Sequence, residues 1–127
     1  ELEQFISNET LIRIELKKYN IVFEKAEFFN LEKFVAYMFN KYNFVRYDIK
    51  QITSPIIKND PHSHNNDEAR MIIKGDGVFF FDIEDIHLQL EVVPGDFVVI
   101  PANLTHYFKT ICPLTAIRFF SNFGEVI

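Results

Sequence analysis

The sequence predicts a mainly β fold, a sandwich or a barrel, preceded by one or two helices. From residue 46 onward, short segments of alternating apolar and polar residues recur at near-regular spacing with turn residues between them, which is typical of sandwiches and barrels. Before residue 46, apolar residues recur with the period of an α-helix. Because no Gly/Ser-rich linker separates the two zones, we expect residues 1–127 to form a single domain, with a helical N-terminal layer at residues 1–45 and the β structure at residues 46–121.

The clearest helix follows Asn30, a residue type that often caps helix N-termini. The apolar residues after it have the i, i+3, i+4, i+7, i+8 spacing of one helical face, and they are Leu31, Phe34, Val35, Met38 and Phe39. We expect this face to pack against a sheet.

The segment at residues 9–18 fits two structures. Ile12, Ile14 and Leu16 alternate as they would in a strand, whereas Leu11, Ile14 and, less well, Lys18 have helical spacing. Tyr19-Asn20 would end such a helix, and a short strand could begin at residues 21–23.

Seven segments in the second zone have the two-residue period of strands. The predicted strands lie at residues 47–53, 69–74, 78–83, 86–92, 97–100, 105–110 and 115–120. Turn-forming residues separate them, among them Pro55, Pro61, Gly75, Gly77, Pro94, Gly95, Pro101 and Pro113.

The composition is that of a globular protein, with 48% apolar and 24% charged residues. The net charge of −5 and the absence of a Lys/Arg run disfavour a nucleic-acid or anionic-membrane partner. No apolar stretch approaches the roughly 18 residues of a transmembrane helix, and no signal sequence opens the chain. The single cysteine, Cys112, fits a reducing compartment, so we expect a cytoplasmic protein.

Four residues have the chemistry of a metal site. His62 and His64 are two residues apart, which on an extended strand puts both imidazoles on one side. Glu68 follows a polar turn that is long enough to fold its carboxylate back toward them, and His106 is the fourth candidate. Three imidazoles and one carboxylate suit a divalent transition metal. On a six-coordinate ion they would leave two positions for substrate or dioxygen.

The same residues lie in two motifs that resemble those of the cupins, His62-x-His64-x3-Glu68-x6-Gly75 and Gly95-x5-Pro101-x-Asn103-x2-His106. The resemblance implies a double-stranded β-helix, or jelly-roll barrel, with a metal inside its mouth. Ile56 and Asn103 occupy two positions where the cupin motifs usually have glycine.

Within the cupins, the closer resemblance is to the acireductone dioxygenases of methionine salvage. Residues 62–83 are similar to that family's H-x-H-x3-E-x-R motif with the strands that follow, residues 95–108 to its G-D…P-A…H-x-F stretch, and residues 114–122 to the strand with its second Arg. The likeness is specific at the site motifs and weak over the first 45 residues, and the chain is shorter than typical members.

The resemblance implies metal ligation by His62, His64, Glu68 and His106, and contact of Arg70 and Arg118 with an anionic substrate, so that Glu68, Arg70 and Arg118 would be the catalytic residues. The implied reaction uses dioxygen to convert 1,2-dihydroxy-3-keto-5-methylthiopentene into formate and a 2-keto acid. In this family iron and nickel give different products. We expect Fe(II) or Ni(II), although the ligand set also accepts Mn, Co or Zn.

The strand pattern supports the two arginines independently. Arg70 shares its strand face with Glu68, and Arg118 lies in an apolar strand where an unpaired guanidinium would be costly. The alternative for either Arg is a structural ion pair with an acid. Phe108 shares the parity of His106 and would form an apolar wall of the substrate pocket.

Two other functions stay open on the sequence. One is a metal-binding cupin that isomerises or senses a sugar acid or polyol, and the other is a metal-free interaction module, which the complete ligand set disfavours. Phe79, Phe80 and Phe81 favour core or dimer contacts, and a Phe-rich edge strand would make a homodimer feasible. His87 is expected to be an ordinary strand residue.

Overall fold

Eight strands and two helices build the part of the chain that a computed structural model describes, residues 5–26, 30–57 and 61–122. They are α1 (Glu9–Lys17), β1 (Val22–Lys25), α2 (Leu31–Tyr42), β2 (Arg46–Ile52), β3 (Glu68–Lys74), β4 (Gly77–Ile83), β5 (Ile86–Val92), β6 (Asp96–Ile100), β7 (His106–Lys109) and β8 (Leu114–Phe120). The seven strands predicted after residue 46 are all confirmed, each end lying within one residue of the predicted one.

The strands form two antiparallel sheets. One sheet has the order β1-β6-β3-β8-β2 and the other has the order β5-β4-β7. Their inner faces meet in one hydrophobic cluster, to which β4 contributes Phe79 and Phe81 and β3 and β6 contribute Ile72 and Ile100. The mainly β fold class is therefore confirmed.

The five-stranded sheet is buried on both faces because α2 covers its outer side. Phe34, Val35 and Met38 of the helix pack against Phe97 and Phe119 of the sheet. Both of these Phe side chains have 0% exposure, and burying each contributes roughly 1.5–3 kcal/mol. This second layer explains why β6 is buried at all five positions instead of at alternate ones.

Helix α2 begins where the sequence predicts, directly after Asn30. The Asn30 side chain accepts a hydrogen bond from the Lys33 amide at 3.2 Å, which satisfies one free N–H of the first turn. The helix ends at Asn43, which adopts the left-handed conformation at φ 59°.

Helix α1 resolves the ambiguous segment, but neither predicted set of residues is its buried face. Leu16 is buried and Ile12 packs against the core, whereas Leu11 and Ile14 are each 55% exposed. The strand interpretation was wrong, because the segment is a helix. The helical interpretation was right about the element but chose the solvent-exposed face, since Ile12 and Leu16, at i and i+4, contact the core. The predicted short strand after Asn20 is confirmed as β1.

The structure does not support the argument that a Phe-rich edge strand could form a homodimer. The Phe-rich strand β4 lies in the centre of its three-stranded sheet and not at an edge. Phe79 and Phe81 face the core, while Phe80 stacks on Tyr107 with ring centroids 4.5 Å apart. In the described part of the chain, no helix has the length and apolar character needed to cross a membrane.

Candidate metal centre

The four predicted ligands lie together. His62, His64, Glu68 and His106 each offer one ligand atom, and these atoms all lie within 4.8 Å of one another. The ring centroids of His62 and His106 are 4.4 Å apart, and those of His62 and His64 are 4.9 Å apart. The chain thus brings one carboxylate and three imidazoles to a single point.

Backbone hydrogen bonds hold the two motifs against each other. His62 and His106 form an antiparallel bridge in which each amide donates to the other's carbonyl at 2.9 Å. The Asn103 amide donates to the His64 carbonyl at 2.8 Å, and the Ala102 amide donates to Asp67 Oδ1 at 2.8 Å. These bonds set the separation of the histidines before any cation binds.

The backbone accommodates the side chains at both positions where the cupin motifs usually have glycine. Asn103 takes φ 69°, a left-handed conformation that Asn tolerates better than most residues with a Cβ. Ile56 exchanges two backbone hydrogen bonds of 2.8 Å with Thr110, so this position is extended. Neither departure disrupts the turn that carries His64.

Hydrogen bonding fixes the ring orientation of His106. Its Nδ1 lies 2.8 Å from the Leu104 carbonyl, which can only accept, so Nδ1 carries the proton. In the neutral ring, Nε2 is then unprotonated and faces Glu68, whose Oε1 is 3.5 Å away.

The buried nitrogens at this point fit a cation. Nε2 of His64 and Nε2 of His106 are buried and have no hydrogen-bond partner among the residues that the structure describes. Both lie near Glu68 Oε1, at 3.0 and 3.5 Å, without hydrogen-bond geometry. A buried polar atom without a partner costs about 1–3 kcal/mol, so a divalent cation between these atoms would offset that cost.

The ionisation states of Glu68 and His64 suit the same role, whereas His106 would have to release a proton that Glu68 favours. Burial raises the pKa of Glu68, but His106, Arg70 and His64 outweigh it and lower the pKa to about 2. Burial lowers the pKa of His64. Burial also acts to lower the pKa of His106, but Glu68 raises it by more. Glu68 is therefore an anion at neutral pH and His64 is neutral, as metal ligation requires.

A cavity of about 160 Å³ opens beside this cluster. Apolar side chains form most of its wall, and its charged lining consists of Glu68, Arg70, Arg118 and Lys50. This volume is below the roughly 300–1,000 Å³ of sites for drug-sized molecules, so the cavity suits a small ligand. Phe108 lines it, as the sequence predicts.

The two predicted arginines lie side by side at this cavity, because Arg70 and Arg118 pair directly across β3 and β8. Arg70 donates to the Ala69 carbonyl at 2.8 Å and lies 3.8 Å from Glu68. Arg118 donates from Nε and Nη2 to the two carboxylate oxygens of Asp48, at 2.7 and 2.5 Å. These hydrogen bonds lower the pKa of Asp48 and raise that of Arg118.

Sequence reasoning missed Asp48 and Lys50. Both lie in β2, where they share one face with Ile52, and Lys50 and Ile52 line the cavity. The sequence did contain a signal: the two charged residues alternate along the strand with the same parity as the apolar Ile52, so all three side chains share one face.

The family of the chain follows from comparison with known proteins. Residues 4–125 match the model of the ARD/ARD′ family. The chain belongs to this family.

Relatives in the ARD/ARD′ family carry the name acireductone dioxygenase. The chain is 30% identical to the protein of Aquifex aeolicus over 130 residues, covering 85% of this chain and 71% of that protein. It is 33% identical to the Leptospira biflexa protein over 98 residues, covering 75% and 55% respectively. The match to the Leishmania major protein, 30% identical over 95 residues, covers 64% of this chain but only 27% of that protein.

Solved structures support the predicted cupin-type jelly roll of this ARD/ARD′ family member. The Bacillus anthracis acireductone dioxygenase, solved with a cadmium ion in its active centre, has a TM-score of 0.75 at 22% identity and covers 93% of this chain and 87% of that one. The sugar 3,4-ketoisomerase QdtA of Thermoanaerobacterium thermosaccharolyticum, in complex with TDP, has a TM-score of 0.63 at 13% identity, with 84% of each chain covered. At these identities the likeness concerns the fold.

The remaining candidates of the ARD/ARD′ chain lie apart from the site. His87 is exposed and pairs with Asp82 at 2.7 Å, which agrees with an ordinary strand residue. Cys112 is a free thiol whose Sγ lies 3.2 Å from Asp76 Oδ1.

Proposed function

We propose that this chain is a metal-dependent acireductone dioxygenase that converts 1,2-dihydroxy-3-keto-5-methylthiopentene and dioxygen into formate and a 2-keto acid. One observation carries the proposal: in a chain of the ARD/ARD′ family, four ligand atoms lie within 4.8 Å of one another, and three of the residues that supply them, His62, Glu68 and His106, line a small cavity together with Arg70 and Arg118. We further propose that residues 1–127 act as one cytoplasmic cupin domain.

His62, His64, Glu68 and His106 would hold the metal, with Fe(II) or Ni(II) as the proposed ions. Neutral imidazoles suit both, and the Glu68 carboxylate offsets one unit of their charge. A divalent ion bound there supplies Lewis acidity, which lowers the pKa of the substrate hydroxyls.

The side chains around the cavity would bind the resulting anion. Arg70 and Arg118 neutralise its charge, and a guanidinium can hold two oxygens at once. Phe108, Phe79 and the aliphatic residues beside them exclude water and contact the apolar tail of the substrate.

A second candidate is a metal-binding cupin that isomerises or senses a sugar acid or polyol. Lys50 favours it, because this residue lines the cavity and offers a hydrogen-bonding group that substrate hydroxyls could use. A homodimer also stays a prediction, without support from the Phe-rich strand.

The test supplies the anaerobic Fe(II)-loaded protein with a synthetic acireductone and then with dioxygen. We expect substrate loss faster than spontaneous oxidation, together with release of formate. A protein that binds metal but gives no acceleration would contradict the dioxygenase and favour the second candidate.

The ligand assignment is tested by elemental analysis of purified variants. His64→Ala should lose the metal, whereas His87→Ala, which removes an exposed histidine of β5, should retain it. Equal metal content in the two variants would show that the assigned cluster does not hold the ion.

A further inference from the structure

Three charged side chains lie in a row beside the metal cluster, on three neighbouring strands. Asp48 of β2 pairs with Arg118 of β8, and Arg118 pairs with Arg70 of β3. Neighbouring strands are about 4.8 Å apart, so the two guanidinium groups are close enough to repel each other. Arg70 is held by the Ala69 carbonyl and lies near Glu68, and the anion beside Arg118 is Asp48.

We propose that Asp48 is a positioning residue that fixes the guanidinium of Arg118 so that its remaining N–H groups are available to an anionic ligand in the cavity. This inference rests on the proposed function, in which Arg118 binds the substrate anion. It adds to that function the group that orients Arg118.

The number of donors permits Arg118 to bind both anions together. A guanidinium has five N–H groups, and Asp48 accepts from two of them, on Nε and Nη2. No acceptor is assigned to the other three within residues 5–26, 30–57 and 61–122, and Arg118 lines the cavity. A ligand therefore has no need to displace Asp48.

We expect Asp48 to help ligand binding more by orienting Arg118 than it hinders binding by repelling the anionic ligand. A carboxylate beside Arg118 also repels a second anion, but the Asp48 side chain is 38% exposed, so water and salt screen that long-range repulsion. Its two hydrogen bonds act at contact distance and are not screened in this way. Without them, a long side chain beside a second guanidinium would sample several rotamers and lose binding free energy on being ordered.

The chain offers a matched control in Asp82. Its side chain is also 38% exposed, it also lies in a strand, and it also pairs with a basic residue of the neighbouring strand, His87 at 2.7 Å. Asp82→Asn and Asp82→Ala therefore remove an equally exposed carboxylate, with its side-chain contact to the neighbouring strand, away from the four candidate metal ligands.

The experiment uses Ni(II)-loaded protein and oxalate as the probe, because oxalate is a small dianion with adjacent oxygens that does not react with dioxygen. Calorimetry gives the oxalate Kd for the wild type, for Asp48→Ala, Asp48→Asn and Asp48→Glu, and for the Asp82 variants. Metal content and Tm are recorded for each.

For Asp48→Ala we expect a Kd about tenfold higher, the effect of losing one hydrogen bond to a charged group. Asp48→Asn and Asp48→Glu, which retain an acceptor, should show smaller increases, with metal content unchanged and the Asp82 variants equal to the wild type.

With the acireductone as substrate, the Asp48 variants should have a higher KM and a kcat within about twofold of the wild type. The reason is that Arg118 binds the substrate more weakly while the metal is retained. Unchanged or tighter oxalate binding in Asp48→Ala and Asp48→Asn would overturn the positioning role, since charge competition predicts tighter binding in both. Absence of acireductone oxidation by the wild type, with the oxalate series as expected, would instead overturn the proposed reaction and keep the role of Asp48.

Discussion

Gly77 sets how closely the ring of Phe108 packs against strand β4. A Cβ added at Gly77 would lie 2.3 Å from Cζ of Phe108 and 2.8 Å from its Cε1, whereas non-bonded carbons prefer about 3.5–4.0 Å. In Gly77→Ala the ring edge must therefore retreat by more than about 1 Å. Because Phe108 lines the cavity of about 160 Å³, a displaced ring would change the wall that contacts the proposed substrate. We expect Gly77→Ala to lower the free energy of unfolding by about 1–3 kcal/mol, as overpacking does, and to raise KM.

A double-mutant cycle tests whether the ring is the cause. The unfolding free energy is measured by urea denaturation for Gly77→Ala, for Phe108→Leu and for the double variant. In the Phe108→Leu background the added methyl group should cost less, with a coupling of at least about 0.5 kcal/mol. A residual cost should remain, because the new Cβ would also lie 2.9 Å from the Lys109 carbonyl oxygen. Effects that add within experimental error would refute the argument, since they would show that the ring does not contact the new methyl group.

Further predictions concern stability. Burial and the hydrogen bond to Glu24 raise the pKa of Tyr42 to about 12. The neutral phenol is thus favoured in the folded state, so its contribution is complete below the unfolded pKa of about 10 and lost as pH rises toward 12. Urea titrations should show the stability difference between wild type and Tyr42→Phe shrinking over that range; a constant difference would contradict the prediction. Gly75→Ala should destabilise by roughly 2 kcal/mol or more in the same assay, because Gly75 has φ +79° and a Cβ there would lie 2.3 Å from the Pro113 carbonyl oxygen. Asn103→Ala should cost about 1 kcal/mol and Asn103→Gly less, since φ is 69°; equal costs would show that the left-handed backbone is not the reason.

Local patterns predicted the strands well because every strand except β2 buries at least one residue, and β2 still packs Ile52 against the core. In β4, the alternation that buries Phe79 and Phe81 and leaves Phe80 partly exposed follows directly from the pleat. Helix α1 was harder, because its apolar residues cover more than one face. Ile14 satisfies both the strand and the helix patterns and yet is 55% exposed. Which face is buried depends on where the core lies, and that is set by contacts outside the segment.

The proximity of the four candidate metal ligands was predictable for a different reason. His62, His64, Glu68 and His106 are residue types with few other uses at such spacing, so their chemistry indicated a shared site before their positions were known. The bonds that hold them together, such as that from Ala102 to Asp67, join segments 35 residues apart. No local pattern specifies such a contact, although the turn residues indicate where the chain reverses.

The partner of Arg118 marks the limit of local patterns and also affects the functional argument. An Arg in an apolar strand indicated that an anion should be nearby, and the chain itself supplies one in Asp48, 70 residues away. That pairing depends on β2 lying next to β8, an order that alternation within either strand does not specify. The sequence leaves a structural ion pair and a substrate-binding role as alternatives for Arg118. The geometry makes them compatible, because Asp48 accepts from two of the five N–H groups of Arg118, and in the described part of the chain the other three have no acceptor at the cavity wall. The ion pair therefore does not count against substrate binding.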